Sequence, residues 1–121
     1  MPNIYDKAYE LARMIEENEY YIKLKVLSEK VRNNKEYLDM VEAYQIKQFE
    51  LYNKKESGEE LTEEESKDLN DQYQKLMSIE EIKSLFEVEH QLSLLINDLY
   101  RIFNAPLLTL NPQEGKKEED I

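Results

Sequence analysis

Apolar residues return every three or four positions through most of this chain, and that spacing constrains its fold more than any other feature. It is the period of an α-helix that turns one face toward a core. The 121 residues include only 2 Gly and 3 Pro, and two of these prolines follow residue 105, so little interrupts the pattern. We predict an all-α protein with one helical domain over residues 1–105 and a disordered polar tail over 106–121.

The pattern divides into five helices, with breaks at polar residues. The predicted helices cover about Ile4–Glu17, Glu19–Arg32, Lys35–Glu56, Glu63–Met77 and Ile79–Phe103. Asn3 and Asn34 can cap helices one and three by accepting hydrogen bonds from free N–H groups. Pro106 is expected to end the last helix, because proline disfavours helical backbone at the preceding residue.

The acidic stretch "SGEELTEEES", residues 57–66, is typical of a turn between two helices. Gly58 can take the left-handed conformation that often follows a helix end. Thr62 and Glu65 have the spacing of a capping box, and acidic residues are favourable in a first helical turn. We predict that helices three and four form a long antiparallel hairpin. The alternative interpretation is a cation site or a docking surface.

A second capping-box pattern, Ser78 with Glu81, predicts a break between helices four and five. No Pro or Gly lies near this point. A continuous, kinked helix is therefore the alternative.

Helices three and five carry apolar residues around half of their circumference or more, which is more than one short chain can cover. We predict that a homodimer completes the helical bundle, because closed two-fold dimers are the commonest oligomers. The candidates for the core and the dimer interface are Tyr37, Val41, Tyr44, Gln48, Leu51, Tyr52, Leu85, Glu89, Leu92, Ile96, Leu99 and Phe103. Ile46 lies among polar residues, so with Glu59 and Glu60 at the hairpin tip it is a candidate for docking a partner protein.

Glu89 lies within the apolar arc of helix five, where a lone buried charge is unfavourable by several kcal/mol. We therefore expect a cation such as Arg13 or Arg32 to pair with it, in the same chain or across the dimer, and to fix the register of packing. The alternative is an acid that contacts a ligand in a pocket between helices. Gln48, in the middle of the apolar face of helix three, is expected to specify pairing in a similar way.

Charge and composition argue against several classes of function. The net charge of −11 disfavours direct binding to nucleic acid or to an anionic membrane. No apolar run approaches the roughly 18–20 residues that span a bilayer, and the N-terminus lacks the apolar segment of a signal peptide. We expect a cytoplasmic protein. Zero cysteines exclude disulfides, thiolate metal sites and cysteine nucleophiles.

No motif predicts catalysis, a metal or a cofactor. His90 is the only histidine and is expected at the surface, without a second Glu-x-x-His motif. "DLNDQY" at residues 68–73 lacks the glycine and the closing glutamate of a calcium loop. A hydrolase or nuclease would need carboxylates that converge from different helices, which a sequence alone does not show.

Three segments resemble one known family. "NIYDKAYELARMIEENEYYIKLK", "KKESGEELTEEE" and "LFEVEHQLSLLINDLYRIFNAPL" are similar to the small helical proteins of the YheA/YmcA/YlbF type from Gram-positive bacteria. The resemblance spans about Asn3–Leu107, is strongest at Glu89–Leu92 and the helix that follows, and is closest to the YheA-like branch. The residues that these segments share with the family serve helix packing and capping, and the segments contain no catalytic signature.

The resemblance implies a helical domain that dimerises and acts as a non-enzymatic partner protein. Relatives join complexes that influence competence, sporulation, biofilm formation and RNA processing through a membrane-bound endoribonuclease. Some relatives hold an iron–sulfur cluster through cysteines, which this chain lacks. The sequence thus favours an interaction or adaptor protein whose partners are itself, another member of the family or an RNA-processing complex. The alternative is a small-molecule or metal-binding helical protein with an interhelical pocket near Glu89.

Overall fold

The first four helices each begin at a residue whose side-chain oxygen caps free backbone N–H groups. The computed structural model describes residues 3–110. Its helices are α1 (Ile4–Glu16), α2 (Glu19–Arg32), α3 (Lys35–Glu56), α4 (Glu63–Met77) and α5 (Glu80–Leu108). The described residues contain no strand, so the predicted all-α fold of five helices is confirmed. The first helix ends one residue before its predicted end, because Glu17 is its C-cap.

The two predicted asparagine caps are present, and a third asparagine caps α2. The side chain of Asn3 accepts the N–H of Tyr5 at 2.8 Å, and that of Asn34 accepts the N–H of Tyr37 at 3.2 Å. Asn18, which the sequence analysis did not identify, caps α2 in the same way at 2.8 Å. Each bond satisfies a donor that the helix itself leaves unpaired.

The turn between α3 and α4 has the predicted geometry. Gly58 has φ +89°, in the left-handed region that glycine adopts without steric strain. The hydroxyl of Thr62 accepts the N–H of Glu65, and the carboxylate of Glu65 accepts the N–H of Thr62, both at 3.0 Å. This reciprocal capping box starts α4 and lets it return along α3.

The chain does break between α4 and α5, but the predicted capping box of Ser78 and Glu81 is wrong. Ser78 has helical backbone and is the C-cap of α4, so its hydroxyl donates to the carbonyl of Lys75 at 2.5 Å. The extended residue is Ile79, at φ −99° and ψ 115°, and it has no side-chain cap. An apolar side chain therefore stands where a capping oxygen was expected.

The prediction that the last helix ends before Pro106 is also wrong, since α5 continues to Leu108 with Pro106 inside it. Proline has the φ of a helical residue, and its unfavourable effects are the missing N–H and the contact of its ring with the carbonyl one turn earlier. Less than one further turn follows, and the hydroxyl of Thr109 donates to the carbonyl of Pro106 at 2.7 Å. Residues 111–121, the greater part of the predicted tail, lie outside the described residues.

The core lies where four helices converge. Val31 of α2, Val41 of α3, Leu76 of α4, and Ile82 and Leu85 of α5 form one buried cluster, in which Leu76 and Ile82 are almost fully enclosed. The most extensive contact between helices is that of α2 with α5. Within residues 3–110, α1 contributes no buried residue.

Candidate functional site

The register of the α3–α4 hairpin determines which side chains face each other. Nζ of Lys54 lies 2.6 Å from Oε1 of Glu65, and Nζ of Lys47 lies 3.5 Å from Oδ2 of Asp68. Lower residue numbers in α3 therefore face higher residue numbers in α4, as in any pair of antiparallel helices. Further from the turn, the ring of Tyr44 lies opposite the ring of Tyr73.

Three aromatic rings from three helices meet at this point. The ring centroids of Tyr44 and Tyr73 are 6.0 Å apart, and those of Tyr44 and Phe86 are 6.3 Å apart. The planes of both pairs are tilted, at 41° and 36°, which lies within the geometries that aromatic pairs prefer. Phe86 belongs to α5, so the three rings join this helix to the hairpin.

A cavity of about 360 Å³ opens beside these rings, between α3, α4 and α5. We call it the Glu89 pocket, after the one Asp or Glu side chain in its wall. It is lined by Tyr44, Gln45, Gln48, Tyr73, Phe86, Glu89, His90 and Ser93. Its volume is within the range of small-molecule sites in proteins.

Glu89 lines the pocket and has no ion pair among the described residues. Residue 89 is exposed in the chain, yet the surrounding side chains desolvate its carboxyl and raise its pKa. Among the described residues, no Lys or Arg forms an ion pair with it. The expected pairing with Arg13 or Arg32 is thus absent within the chain, and pairing across a dimer stays a prediction.

Arg32 follows Val31, which belongs to the same buried cluster as Ile82, near the start of α5. Glu89 lies about two helical turns beyond Ile82, or about 10 Å at 1.5 Å per residue. Arg13 lies in α1, outside the buried cluster.

Hydroxyl and amide groups also line the pocket. Desolvation, and secondarily the nearby phenol of Tyr73, raise the pKa of Tyr44. The amides of Gln45 and Gln48 and the hydroxyl of Ser93 provide donors and acceptors. His90 is exposed, as predicted, but it also lines the pocket. Residues 3–110 contain no group of three His, Cys, Asp or Glu side chains that could hold a metal ion.

The candidates for the core and the dimer interface separate by exposure. Val41, Leu51 and Leu85 are buried in the chain itself. The half-buried candidates are Tyr37, Tyr44, Leu92, Ile96 and Leu99, and the exposed candidates are Gln48, Tyr52, Glu89 and Phe103. The last two groups are the ones that a second molecule could still cover.

The docking candidates are all exposed. Ile46 is 60% exposed and Phe49 beside it is 65% exposed, in a shallow groove edged by Glu42 and Glu50. Glu59 and Glu60 follow Gly58 in the turn between α3 and α4.

Apolar side chains remain uncovered at both ends of the described chain. In α1 these are Ile4, Tyr5, Tyr9 and Met14, which are 62–79% exposed. In the second half of α5 they are Tyr100, Ile102, Phe103 and Leu107, which are 55–64% exposed. Exposed apolar surface of this extent commonly marks a protein–protein contact.

The sequence analysis did not assign Tyr73, Gln45 or Ser93 to a pocket. Tyr73 could have been found by counting back from the turn, because the hairpin register that pairs Lys54 with Glu65 also places Tyr44 near Tyr73. Gln45 and Ser93 carry no such signal, since polar residues on a helix are ordinarily solvated.

In residues 3–110, no helix has a stretch that is both long and apolar enough to cross a membrane. This agrees with the absence of long apolar runs noted in the sequence.

Several curated proteins are similar to this chain over nearly their whole length. A UPF0342 protein of Alkalihalophilus pseudofirmus is 36% identical over 107 residues, covering 88% of this chain and 91% of that protein. A UPF0342 protein of Halalkalibacterium halodurans is 34% identical over 116 residues, covering 94% and 100%. One from Lactiplantibacillus plantarum is 33% identical over 108 residues, covering 89% and 95%.

A solved structure has the same fold. It is a protein of unknown function, DUF964, from Bacillus stearothermophilus, and it superposes with a TM-score of 0.74 over 86% of this chain and 91% of its own. The two sequences are 23% identical, so this likeness concerns the fold alone.

A family model described as "Control of competence regulator ComK, YlbF/YmcA" matches residues 4–107. The match includes all five helices except the last residue of α5. It agrees with the resemblance noted in the sequence, and with the hairpin and caps on which that resemblance depends. The chain therefore belongs to the YlbF/YmcA family of small helical proteins.

Proposed function

We propose that this protein is a non-enzymatic interaction protein that works as a homodimer. The observation that carries the proposal is the exposure of α1. This helix has apolar residues at helical spacing, and yet it has no buried residue in the described chain. A helix of 13 residues is marginal in water on its own, so α1 needs a surface against which to pack.

The charge distribution favours a second copy of the chain as that surface. The whole chain carries −11, so two copies repel each other over most of their surface. However, α1 has three acids against two bases, and residues 92–108 of α5 have only Asp98 and Arg101, which pair with each other. Interface centres are typically depleted of charge, and residues 92–108 of α5 meet that condition, whereas the charges of α1 nearly balance.

The size of the core supports the same conclusion. Among residues 3–110, five residues form the buried cluster, which is small for a stretch of that length. Small cores are commonly supplemented by oligomerisation, and a two-fold axis would let each copy cover the other. Tyr52, Ile96, Leu99 and Phe103 are the candidates that such an interface would bury first.

A regulatory role in the cytoplasm, through contacts with another protein, is the second part of the proposal. The family's description concerns control of a competence regulator and no reaction. The groove at Ile46 and Phe49 is apolar with acidic edges, so it suits a helix with apolar and basic residues. A protein of the same family or an RNA-processing complex could provide that helix.

The experiment for self-association compares two matched substitutions of exposed isoleucines. Ile102→Glu places a charge on the uncovered face of α5, where the side chain is 64% exposed, and we expect it to weaken the dimer at least about tenfold. Ile46→Glu, at a side chain that is 60% exposed, should leave the dimer intact. Sedimentation velocity over a range of concentrations measures both.

The same variants test the partner contact. Ile46→Glu should lose a partner protein that Ile102→Glu retains, and Glu59→Gln with Glu60→Gln tests the hairpin tip separately. If the wild-type protein is monomeric at every concentration, the first part of the proposal is contradicted. An Ile102→Glu variant that dimerises like the wild type contradicts the assigned face.

A small-molecule site is the second candidate function, and one observation favours it. Glu89 faces an open cavity and has no ion pair among the described residues. The surrounding side chains partly desolvate this carboxylate, and a cationic ligand in the cavity would offset that desolvation.

A further inference from the structure

We propose that the Glu89 pocket binds an organic cation, namely an ammonium or guanidinium group on a short alkyl stem. This inference rests on the second candidate function above. Its basis is the combination of groups that α3, α4 and α5 bring to one cavity of about 360 Å³.

The charge of the pocket selects a cation. Glu89 is the only Asp or Glu among its lining residues, and none of those residues is Lys or Arg. Glu89 is therefore the one side chain among the lining residues that contributes a formal negative charge. An anionic ligand would be repelled, whereas a cation would supply the ion pair that the carboxylate lacks.

The aromatic rings select an organic cation with an apolar stem. Tyr44, Tyr73 and Phe86 line one cavity, and aromatic rings can attract ammonium and guanidinium groups. Their apolar surface can also cover an alkyl stem. A wholly apolar ligand would leave Glu89 desolvated and unpaired, which is unfavourable.

A metal ion fits the pocket less well. Hard cations such as Ca²⁺ take six to eight oxygen ligands, usually including several carboxylates. The pocket has one carboxylate and one imidazole, and no group of three potential ligands occurs in residues 3–110. The amides of Gln45 and Gln48 can instead accept N–H donors from the head group.

The desolvation that raises the pKa of Glu89 supports this assignment. A bound cation would offset that desolvation and favour the ionised carboxylate. Because the cavity is open on one side, we expect affinities of roughly millimolar for a ligand of fewer than about ten heavy atoms.

The test uses a ligand series that differs only in charge. Pentylammonium, pentanol and pentanoate are titrated into the full chain at about 150 mM ionic strength, and backbone amide shifts in the NMR spectrum are followed. Pentylammonium should shift residues around the pocket, while pentanol and pentanoate should bind at least about tenfold more weakly. Pentylguanidinium, which has a single charge, tests a guanidinium group in the same assay.

Two isosteric variants assign the charge to one residue. Glu89→Gln should weaken pentylammonium binding at least about tenfold, and Glu87→Gln, two residues away and outside the pocket, should not. Tyr73→Leu should weaken it a few-fold without changing the charge. Circular dichroism shows whether each variant is folded, so that lost binding is not lost structure.

Light scattering on Glu89→Gln distinguishes the source of the cation. If Glu89→Gln loses pentylammonium binding and keeps its mass, the pocket serves a free molecule. If it loses both, a Lys or Arg side chain of a second copy occupies the pocket. Equal binding of pentanol and pentylammonium, wild-type binding by Glu89→Gln, or no shift up to tens of millimolar pentylammonium would each overturn the proposal, whatever the oligomeric state.

Discussion

Nζ of Lys54 lies 2.6 Å from Oε1 of Glu65, and the same carboxylate oxygen accepts the N–H of Thr62 at 3.0 Å. One carboxylate thus links the last turn of α3 to the first turn of α4. The hydrogen bond from Lys54, followed by that from the backbone of Thr62, lowers the pKa of Glu65 from 4.5 to about 2. This link lies at the turn end of the hairpin. The register that starts there also places Tyr44 near Tyr73 in the wall of the Glu89 pocket.

Glu65→Gln should lower the melting temperature near pH 6, and the difference from the wild type should shrink as the pH falls. The folded pKa is depressed, so the stabilisation is present above 4.5 and is lost as pH falls from there toward about 2. Thermal melts followed by circular dichroism test this. Glu64→Gln, in the same turn, is the control and should show a smaller effect. A pH-independent difference would contradict the assignment.

Gly58→Ala should destabilise the fold by about 1–2 kcal/mol, the approximate energy of left-handed backbone for a residue with a Cβ. No atom lies within 4 Å of the position of such a Cβ, so steric overlap adds nothing. Gly58→Asn should be less destabilising, since asparagine tolerates this conformation. Urea denaturation at fixed protein concentration measures both variants. Equal losses for alanine and asparagine would show that another property of glycine is needed.

Ile82→Ala should destabilise the protein by about 2–5 kcal/mol, because Ile82 is fully enclosed in the cluster where four helices meet. Ile46→Ala is the matched control and should change stability by less than about 0.5 kcal/mol, because its side chain is 60% exposed. The same denaturation experiment applies. Similar losses at both positions would place the core elsewhere.

Glu89→Gln should raise the melting temperature near pH 7. Desolvation raises the folded pKa of Glu89, so the ionised form is unfavourable above that pKa, and the penalty disappears as pH falls below its ordinary value. The gain should therefore vanish near pH 4. Tyr44, Tyr73 and His90 also line the pocket, and a His90→Gln background isolates Glu89 from the imidazole. A lower melting temperature near pH 7 would instead support the register-fixing ion pair across a dimer.

Local chemistry explains why much of the fold was predictable. Gly58, Thr62 and Glu65 act on neighbouring backbone, so their spacing alone predicts the turn. The failures at Ser78 and Pro106 are also local. Ser78 can also be a C-cap whose hydroxyl donates a hydrogen bond to the preceding turn, as it does here. Pro106 can also lie inside a helix close to its end, as it does here. Spacing does not decide between two such roles.

The pocket could not be predicted because it depends on three helices at once. Tyr44, Tyr73 and Phe86 are separate in sequence and meet only through the hairpin register and the packing of α5. The apolar arc indicated Glu89 as a candidate, but the cation expected beside it depended on where α1 and α2 lie. That information is tertiary, and periodicity does not contain it.

The central claim is that the uncovered faces of α1 and α5 are covered by a second copy of the chain. Light scattering after size-exclusion chromatography, at micromolar concentration, tests it most directly. We predict one species with twice the mass of the 14.6 kDa chain, which dissociates only on dilution or in Ile102→Glu. A single species of 14.6 kDa at every concentration would contradict the claim.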